Sequence, residues 1–586
     1  SLTTPAAPYP RSCVLRLGQY DNPQAFGRIA ALQSTLGPLH AQPQSSDSPT
    51  QPAEVRLSTG LLLGCMFASL ALAPLAYPGY FQVHSGFSPV WNVTDLRANW
   101  SNLSWLPQLG LQFDPLRSAG LLPYYLAALL PVEAVTAVKL VMGLGWLLGG
   151  AGMFLWLRSW LGRVGALVAG LVYLYLPYQL VTVYVRGAWG ETLFWGGLPW
   201  ALLVATHRAP KSRPAFLVGV TAVWLGLGLS QLGLAIVALL FLGLLALTVY
   251  RSSGVLPLAA AGAGLLMAGG LYGLRPVDFI QPPPTPLTDH FLVPFQLFSA
   301  HWGFDASRAG WNDDVSFQLG VVALGLTILT IYLWRREQRT TSRRLRFFLA
   351  GAVITGLLQF EFTAFLWRGL GLLVTYPWQL LGLAGLCLSV LAGAALRFEP
   401  RLGRLPLLAA IVILVVLSVY RYLEPQFIQP EPAWLSRPVA ALGEAQLALL
   451  DYELAVQTSG HTVGLERGQT TLPLSVYGAL RPNDVVLLQT TWQPLQTFEQ
   501  DLKIFVHLVD AQGHVLAQFD GQPQAGTYPT SRWVPGHLVN DTYAIHLPTE
   551  APPGPYRLYL GLYDEATLTR LPVPGDPEGR VILPVQ

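Results

Sequence analysis

The sequence predicts a multispanning α-helical membrane domain, about eleven spans, followed by an extracytoplasmic antiparallel β-sandwich. Three observations predict it. Only 11% of the 586 residues are charged and 52% are hydrophobic, whereas soluble domains average about 25% charged. Apolar stretches close to the ~20 residues that cross ~30 Å of hydrocarbon recur between residues 56 and 423. Past about residue 424 charge returns, and short alternating strands replace the long apolar runs.

Taken in order, residues 1–55 lack the apolar centre of a cleavable signal, and LHAQPQSSDSPTQPAE has the composition of disordered linker. Ser1 in place of Met suggests a processed or truncated start. Candidate spans are 57–78, 133–157, 163–178, 189–206, 214–229, 231–250, 255–273, 316–334, 346–364, 371–396 and 404–422. Segment 118–131, with Pro123 and Pro131, is too short to cross and reads as a re-entrant or interfacial helix. The arginines test this layout. Arg158 and Arg163; Arg208, Lys211 and Arg213; Arg251; Arg335 to Arg346; and Arg397, Arg401 and Arg404 all fall in alternate connections. By the positive-inside rule those connections face the cytoplasm, with the N-terminus inside and the C-terminus outside. The outer loops are then 79–117, 179–188 and 274–315.

Residues 424–445 read as a linker and 446–586 as the sandwich. Its strands are VVLLQTTW, KIFVHLVD, HVLAQFD, YAIHLP, YRLYLGLYD and RVILPV, with turns every 8–12 residues. Trp492, Trp533 and Tyr528 are of the kind that either stack on sugars or fill a core. Cys13, Cys65 and Cys387 are too few and scattered for a disulfide framework or zinc site. The membrane half has no Walker sequence, no Gly-x-Gly-x-x-Gly after a strand and no Cys-x-x-Cys, which argues against ATP-driven transport.

Chemistry-bearing residues concentrate outside the spans. The first outer loop, GYFQVHSGFSPVWNVTDLRANWSNLSWLPQLGLQFDPLR, holds His84, Asp95, Arg97 and Asp114. A carboxylate there suits a general base or a divalent-cation ligand, and an arginine suits a diphosphate; alternatively all are solvated loop charges. Arg186 and Glu191, in YVRGAWGETLFWGG, stand at the mouth of a span, where Gly187 and Gly190 permit close backbone approach. They are either a ligand site or a structural ion pair. Glu361 is expected to pair with Arg368, and Lys139 to snorkel outward. The second large loop carries Asp289, His290, His301, Asp305, Asp313 and Asp314, at spacings that match no metal-ligand frame.

Several stretches then carry a resemblance. LLPYYLAALLPVEAVTAVKLVMGLGWLLGGAGMFLW, GLVYLYLPYQLVTVYVRGAWGETLFWGGLPWALL, VSFQLG and TYPWQLLGLAG, with IFVHLVDAQGHVLAQFDGQP, YPTSRWVPG and PPGPYRLYLGLYD further on, resemble the GT-C superfamily of polytopic membrane glycosyltransferases. More narrowly, residues 57–586 are similar to the prokaryotic membrane proteins labelled 6-pyruvoyl-tetrahydropterin-synthase-related. The resemblance implies a GT-C-like enzyme of a bacterial cytoplasmic membrane that takes sugar from a lipid-linked polyprenyl-phosphate donor. Its acceptor would be a glycan or protein on the outer face. It implies that Asp95 is the catalytic acid of the first outer loop, as base or as ligand of a divalent cation. His84, Arg97, Asp114, Arg186 and Glu191 would bind the donor. At three polar positions the chain departs from these relatives: no acid adjoins His84, Gln379 follows the Pro-Trp pair where an Arg is usual, and Ser230-Gln231 replaces a His-Asn pair. A rival expectation is therefore a catalytically degenerate scaffold, an accessory subunit of a membrane complex. A second is a lipid or polymer transporter. No nucleic-acid partner is expected.

Overall fold

A computed structural model describes residues 66–102, 105–107, 114–206, 214–250, 255–273, 287–308, 310, 313, 315–336, 342–436, 438–443, 446–458, 461–467, 483–550 and 555–585. The expectations for residues 1–65, Arg208, Lys211, Arg213, Arg251, Arg339 and Asp314 lie outside them.

The helical half begins with α1, Met66–Ala76. The sequence expects two spans at 133–157 and 163–178; the structure has α4, Ala134–Leu174, broken at Gly162, whose φ of 77° no helix accommodates. The two arms fold back on each other. Trp146 Nε1 donates to the Leu174 carbonyl at 2.8 Å. A short helix, α5 (Pro177–Tyr184), follows, and then α6 (Trp189–Thr206). α6 lies so close to α4 that a Cβ on Gly196 would fall 2.0 Å from the Gly145 oxygen. Small-residue contact of this kind is how helices associate where water supplies no drive between them. Helices α7 (Pro214–Ser230), α8 (Leu232–Leu245), α9 (Val255–Gly273), α10 (Val321–Arg336), α11 (Arg343–Leu357), α12 (Ala364–Leu370), α13 (Leu381–Phe398) and α14 (Leu405–Leu417) complete this half.

Among the described residues, four helices are long and apolar enough to cross a membrane: Ala134–Leu174, Leu232–Tyr250, Val255–Gly273 and Pro377–Phe398. A fifth is the pair Arg343–Leu357 and Glu361–Leu370, bent by 101°, if the two are one broken span. α1, α7 and α14 are apolar but shorter. Apolar composition locates such segments without showing where each helix stops. The expected span 346–364, for example, breaks at buried Gln359. Its Nε2 turns to the Thr355 carbonyl at 2.7 Å, and its own carbonyl accepts from the Leu292 amide at 2.8 Å, so the second outer loop docks into the break. Glu361 and Arg368 are both exposed, and no ion pair joins them among the described residues. Lys139 reaches the start of the first outer loop, where its Nζ donates to the Tyr77 and Gly79 carbonyls at 2.7 and 2.9 Å.

Segment 118–131 contains α3, Leu121–Leu129. Much of the expected first outer loop is ordered secondary structure. β1 (Tyr80–Phe81) leads to α2 (Ser88–Ala98), which buries Trp91, Val93 and Leu96. Stretch 424–445 is tied to it. β2 (Phe427–Ile428) pairs antiparallel with β1, and Trp91 Nε1 donates to the Trp434 carbonyl in α15 (Pro432–Ser436) at 2.6 Å.

The C-terminal half contains two antiparallel sheets. One orders β11 (Val581–Val585), β10 (Tyr556–Tyr563), β7 (Lys503–Val509) and β8 (Val515–Gly521). The other orders β3 (Ala440–Leu442), β4 (Leu447–Thr458), β6 (Val485–Pro494) and β9 (Val539–His546), with β5 (His461–Arg467) also on β4. Alternate residues of both sheets, including Leu488, Tyr543, Leu508 and Leu558, meet in one buried cluster. Trp492 and Trp533 belong to that core and are not available to stack on sugars.

Candidate functional site

A cavity of about 630 Å³ lies where the two halves meet. The helical half contributes the Arg186–Glu191 turn, the end of the first outer loop and the Tyr376–Gln379 segment; the sheet half contributes residues 495–500. Close packing defines the seam. Gln493, fully buried on β6, accepts from the Phe87 amide at 3.1 Å and donates to the Gly536 carbonyl at 3.0 Å. A Cβ at Gly536 would fall 1.7 Å from the Val83 oxygen, so only glycine fits there.

Glu191 is the best-partnered group in the cavity. It sits in the first turn of α6 and is 2% exposed. Its carboxylate accepts from Arg186 Nη1 at 2.7 Å, Trp195 Nε1 at 3.1 Å, Gln379 Nε2 at 3.1 Å and the Tyr178 hydroxyl. Arg186 is also stacked on Trp378, 4.6 Å from the ring centroid, and Trp378 is stacked on Tyr376. Burial is the largest influence and opposes the Arg186 charge, but the Glu191 carboxylate together with Tyr178 and Tyr376 outweighs it and leaves the guanidinium above its ordinary pKa. Among the described residues, the buried Trp378 Nε1 has no hydrogen-bond partner.

Asp114 reaches the same cavity. Its carboxylate accepts from Arg117 Nε at 2.7 Å and from the Leu116 amide at 2.8 Å. Gln231 Nε2 holds this turn through the Arg117 carbonyl at 2.7 Å. His84 faces the cavity with Nε2 2.9 Å from the Phe304 carbonyl. A carbonyl only accepts, so Nε2 carries the hydrogen and Nδ1 is left as an acceptor. Burial, reinforced by the Arg186 and His537 charges, pushes His84 down to about 4 against the favourable carbonyl contacts. His290, from the second outer loop, places Nδ1 3.1 Å from Ser307 Oγ, which in turn donates to Asp313 at 2.8 Å. Burial lowers its pKa too, with Asp289 opposing.

Of the six residues singled out in the sequence, His84, Asp114, Arg186 and Glu191 line this cavity; Asp95 and Arg97 do not. Asp95 lies on α2, where its carboxylate accepts from Trp105 Nε1 at 2.7 Å and Asn99 Nδ2 at 3.1 Å. Arg97 donates to the Ala127 and Leu130 carbonyls at 3.1 and 2.8 Å and so caps α3. Sequence reasoning did not assign Tyr178, Trp378, Arg117 or Gln493 to a site. Only Arg117 had a local signal, three residues after Asp114, where a turn can close an ion pair. Among the described residues no three of His, Cys, Asp and Glu group as metal ligands.

No known family profile matches the chain, and no curated protein does. Among solved structures it is similar to ArnT from Cupriavidus metallidurans. The apo state gives a TM-score of 0.35 at 15% identity, over 58% of this chain and 60% of that one. The form bound to undecaprenyl phosphate gives 0.36 at 14% identity, over 58% and 59%. The chain thus spans less than two thirds of that protein's length.

Proposed function

We propose that this chain is a membrane glycosyltransferase that moves sugar from a polyprenyl-phosphate donor to an extracytoplasmic acceptor. The observation that carries the reading is the Arg186 cluster. A guanidinium held in place by Glu191 and Trp378 lines the large cavity. Glu191 takes one edge of Arg186, and the remaining N–H groups suit a phosphate. In this reaction the acceptor oxygen bonds to the anomeric carbon, the carbon–oxygen bond to the donor phosphate breaks, and the acceptor proton passes to a base. Asp114 is the carboxylate of the first outer loop that lines the cavity, so we place the base there. Asp95 would then order the loop through Trp105. His84 Nδ1 would accept from a sugar hydroxyl.

Membrane placement belongs to the same proposal. Counting α4 as two crossings, α8, α9 and α13 with α1, α6, α7, α10, α11 and α14 give eleven, which puts the arginine-rich helix ends in the cytoplasm and the sheets outside. The test is transfer of labelled sugar from a panel of polyprenyl-phosphate sugars by purified, reconstituted protein. Arg186→Gln and Asp114→Asn should each lower turnover by at least about 10²-fold, a typical contribution of one positioned group, and Asp95→Asn by far less. Undiminished turnover in the first two would remove the assigned roles.

One observation favours a second reading. Two of the described carboxylates lining the cavity are already closed in ion pairs, Asp114 with Arg117 and Glu191 with Arg186. A scaffold that had lost its chemistry would keep such pairs for structure. Purification with stoichiometric membrane partners, and no transfer with any donor, would establish that reading.

A further inference from the structure

At the far end of α6, ~22 Å along the helix axis from Glu191, a second cavity of about 220 Å³ opens among Trp156, Trp160, Thr206, Tyr250, Arg344 and Phe348. The proposed transfer reaction makes no use of it. Arg344 lies 5.4 Å from the ring centroids of both Trp160 and Tyr250. Aromatic rings hold a guanidinium over their faces within about 6 Å and leave its N–H edges for another partner. Among the described residues Arg344 has no ion pair or hydrogen bond.

The surroundings need an anion. Arg343, Arg344 and Arg346 occupy the first turn of α11, with no acidic residue there, at the end where the helix dipole opposes cations. Arg397 Nη1 donates to the Trp160 carbonyl at 2.8 Å and brings another cation to the rim. In the described parts of the adjoining connections, 158–163, 335–346 and 397–404, the one carboxylate is Glu399, which lies 3.9 Å from Arg401. Leu157, Leu203, Leu245 and Phe348 make up the apolar part of the wall, with Ser159 and Thr206 adding two hydroxyls. Tryptophan and tyrosine with arginine above an apolar wall is the composition of a headgroup-level site in a bilayer.

We propose that this cavity binds the phosphate of an anionic glycerophospholipid from the surrounding bilayer. The free edge of Arg344 grips two phosphate oxygens, and the leucines and Phe348 receive the glycerol end of the acyl chains. The site is independent of the reaction proposed above.

The experiment uses full-length protein reconstituted in phosphatidylcholine vesicles with or without phosphatidylglycerol, then extracted and weighed intact by native mass spectrometry. Phosphatidylglycerol should stay bound to the wild type in preference to phosphatidylcholine. Arg344→Gln should weaken retention about tenfold or more, the worth of a charge-assisted hydrogen bond. Arg346→Gln, which removes the same charge from an exposed position outside the cavity, should leave it intact. Arg344→Lys should fall between. Inorganic phosphate should neither displace bound phosphatidylglycerol nor, with protein in phosphatidylcholine alone, raise the unfolding temperature. Three results would each overturn the proposal: no preference for phosphatidylglycerol in the wild type, equal losses in the Arg344 and Arg346 variants, or free phosphate acting as well as the lipid. Should Arg344→Gln fail to fold, the wild-type lipid preference and the Arg344→Lys variant still decide.

Discussion

Glu191 shows how much depends on one carboxylate. Four donors converge on it from α5, the following turn, α6 and the segment leading into α13. Removing its charge leaves a nearly buried guanidinium without its counterion, so Glu191→Gln should destabilise the helical half by about 3–5 kcal/mol, measured by denaturant or thermal unfolding in detergent. His84 gives a pH dependence with a definite sign. Its folded pKa is lowered to about 4 from an ordinary 6.5, so its contribution is fully present above pH 6.5. As pH falls toward 4 the unfolded chain takes up a proton that the folded chain refuses, and stability falls. The unfolding midpoint should therefore drop across that window, and His84→Asn should flatten the slope. The flattening will be partial, because His290 and His537 are also lowered by burial.

At the scale of elements, the first outer loop is held from three sides. The His84 amide donates to the Val185 carbonyl at 2.9 Å, the His84 ring meets Phe304, and Gln493 on β6 binds the Phe87 amide. Gly536 completes the seam at a φ of 77°. Gly536→Ala would bring both a backbone clash and a disfavoured φ and should cost at least about 2 kcal/mol at this interface. Hydrogen exchange should then rise in residues 80–98 while the β7–β10 pairing stays protected; unchanged exchange in both would show the contact to be dispensable. Element identity was legible unevenly. The six short strands with period-two patterns all appear. β4, LALLDYELAVQT, was not read as a strand, because Leu, Ala and Glu favour helix and only pairing with β3, β5 and β6 makes it extended.

For the whole molecule, the large cavity lies where the sheets meet the helical half, while the arginine-rich helix ends carry the small cavity. Orientation can be checked by cysteine labelling after Cys13 and Cys65 are replaced by Ser; Cys387 is fully buried and should stay silent. Cysteine at His514, at an exposed turn of the sheet half, should react with a membrane-impermeant maleimide on intact cells, and cysteine at Arg401 only after lysis. The reverse pattern would invert the proposed topology.

The sequence by itself determined that the chain divides into apolar helices and a strand-rich half, because hydrophobic periodicity and charge density are local properties. It also marked Arg186 and Glu191, since a charged pair beside glycines at the edge of an apolar run is locally anomalous. Only the tertiary structure decided which polar residues of the first outer loop share a cavity. Asp95 and Asp114 are equivalent in the sequence, yet α2 turns one toward Trp105 while the turn after it carries the other to the cavity, close to Gln231. Such placement depends on contacts between residues hundreds apart, such as Phe87 with Gln493, and no local pattern encodes them.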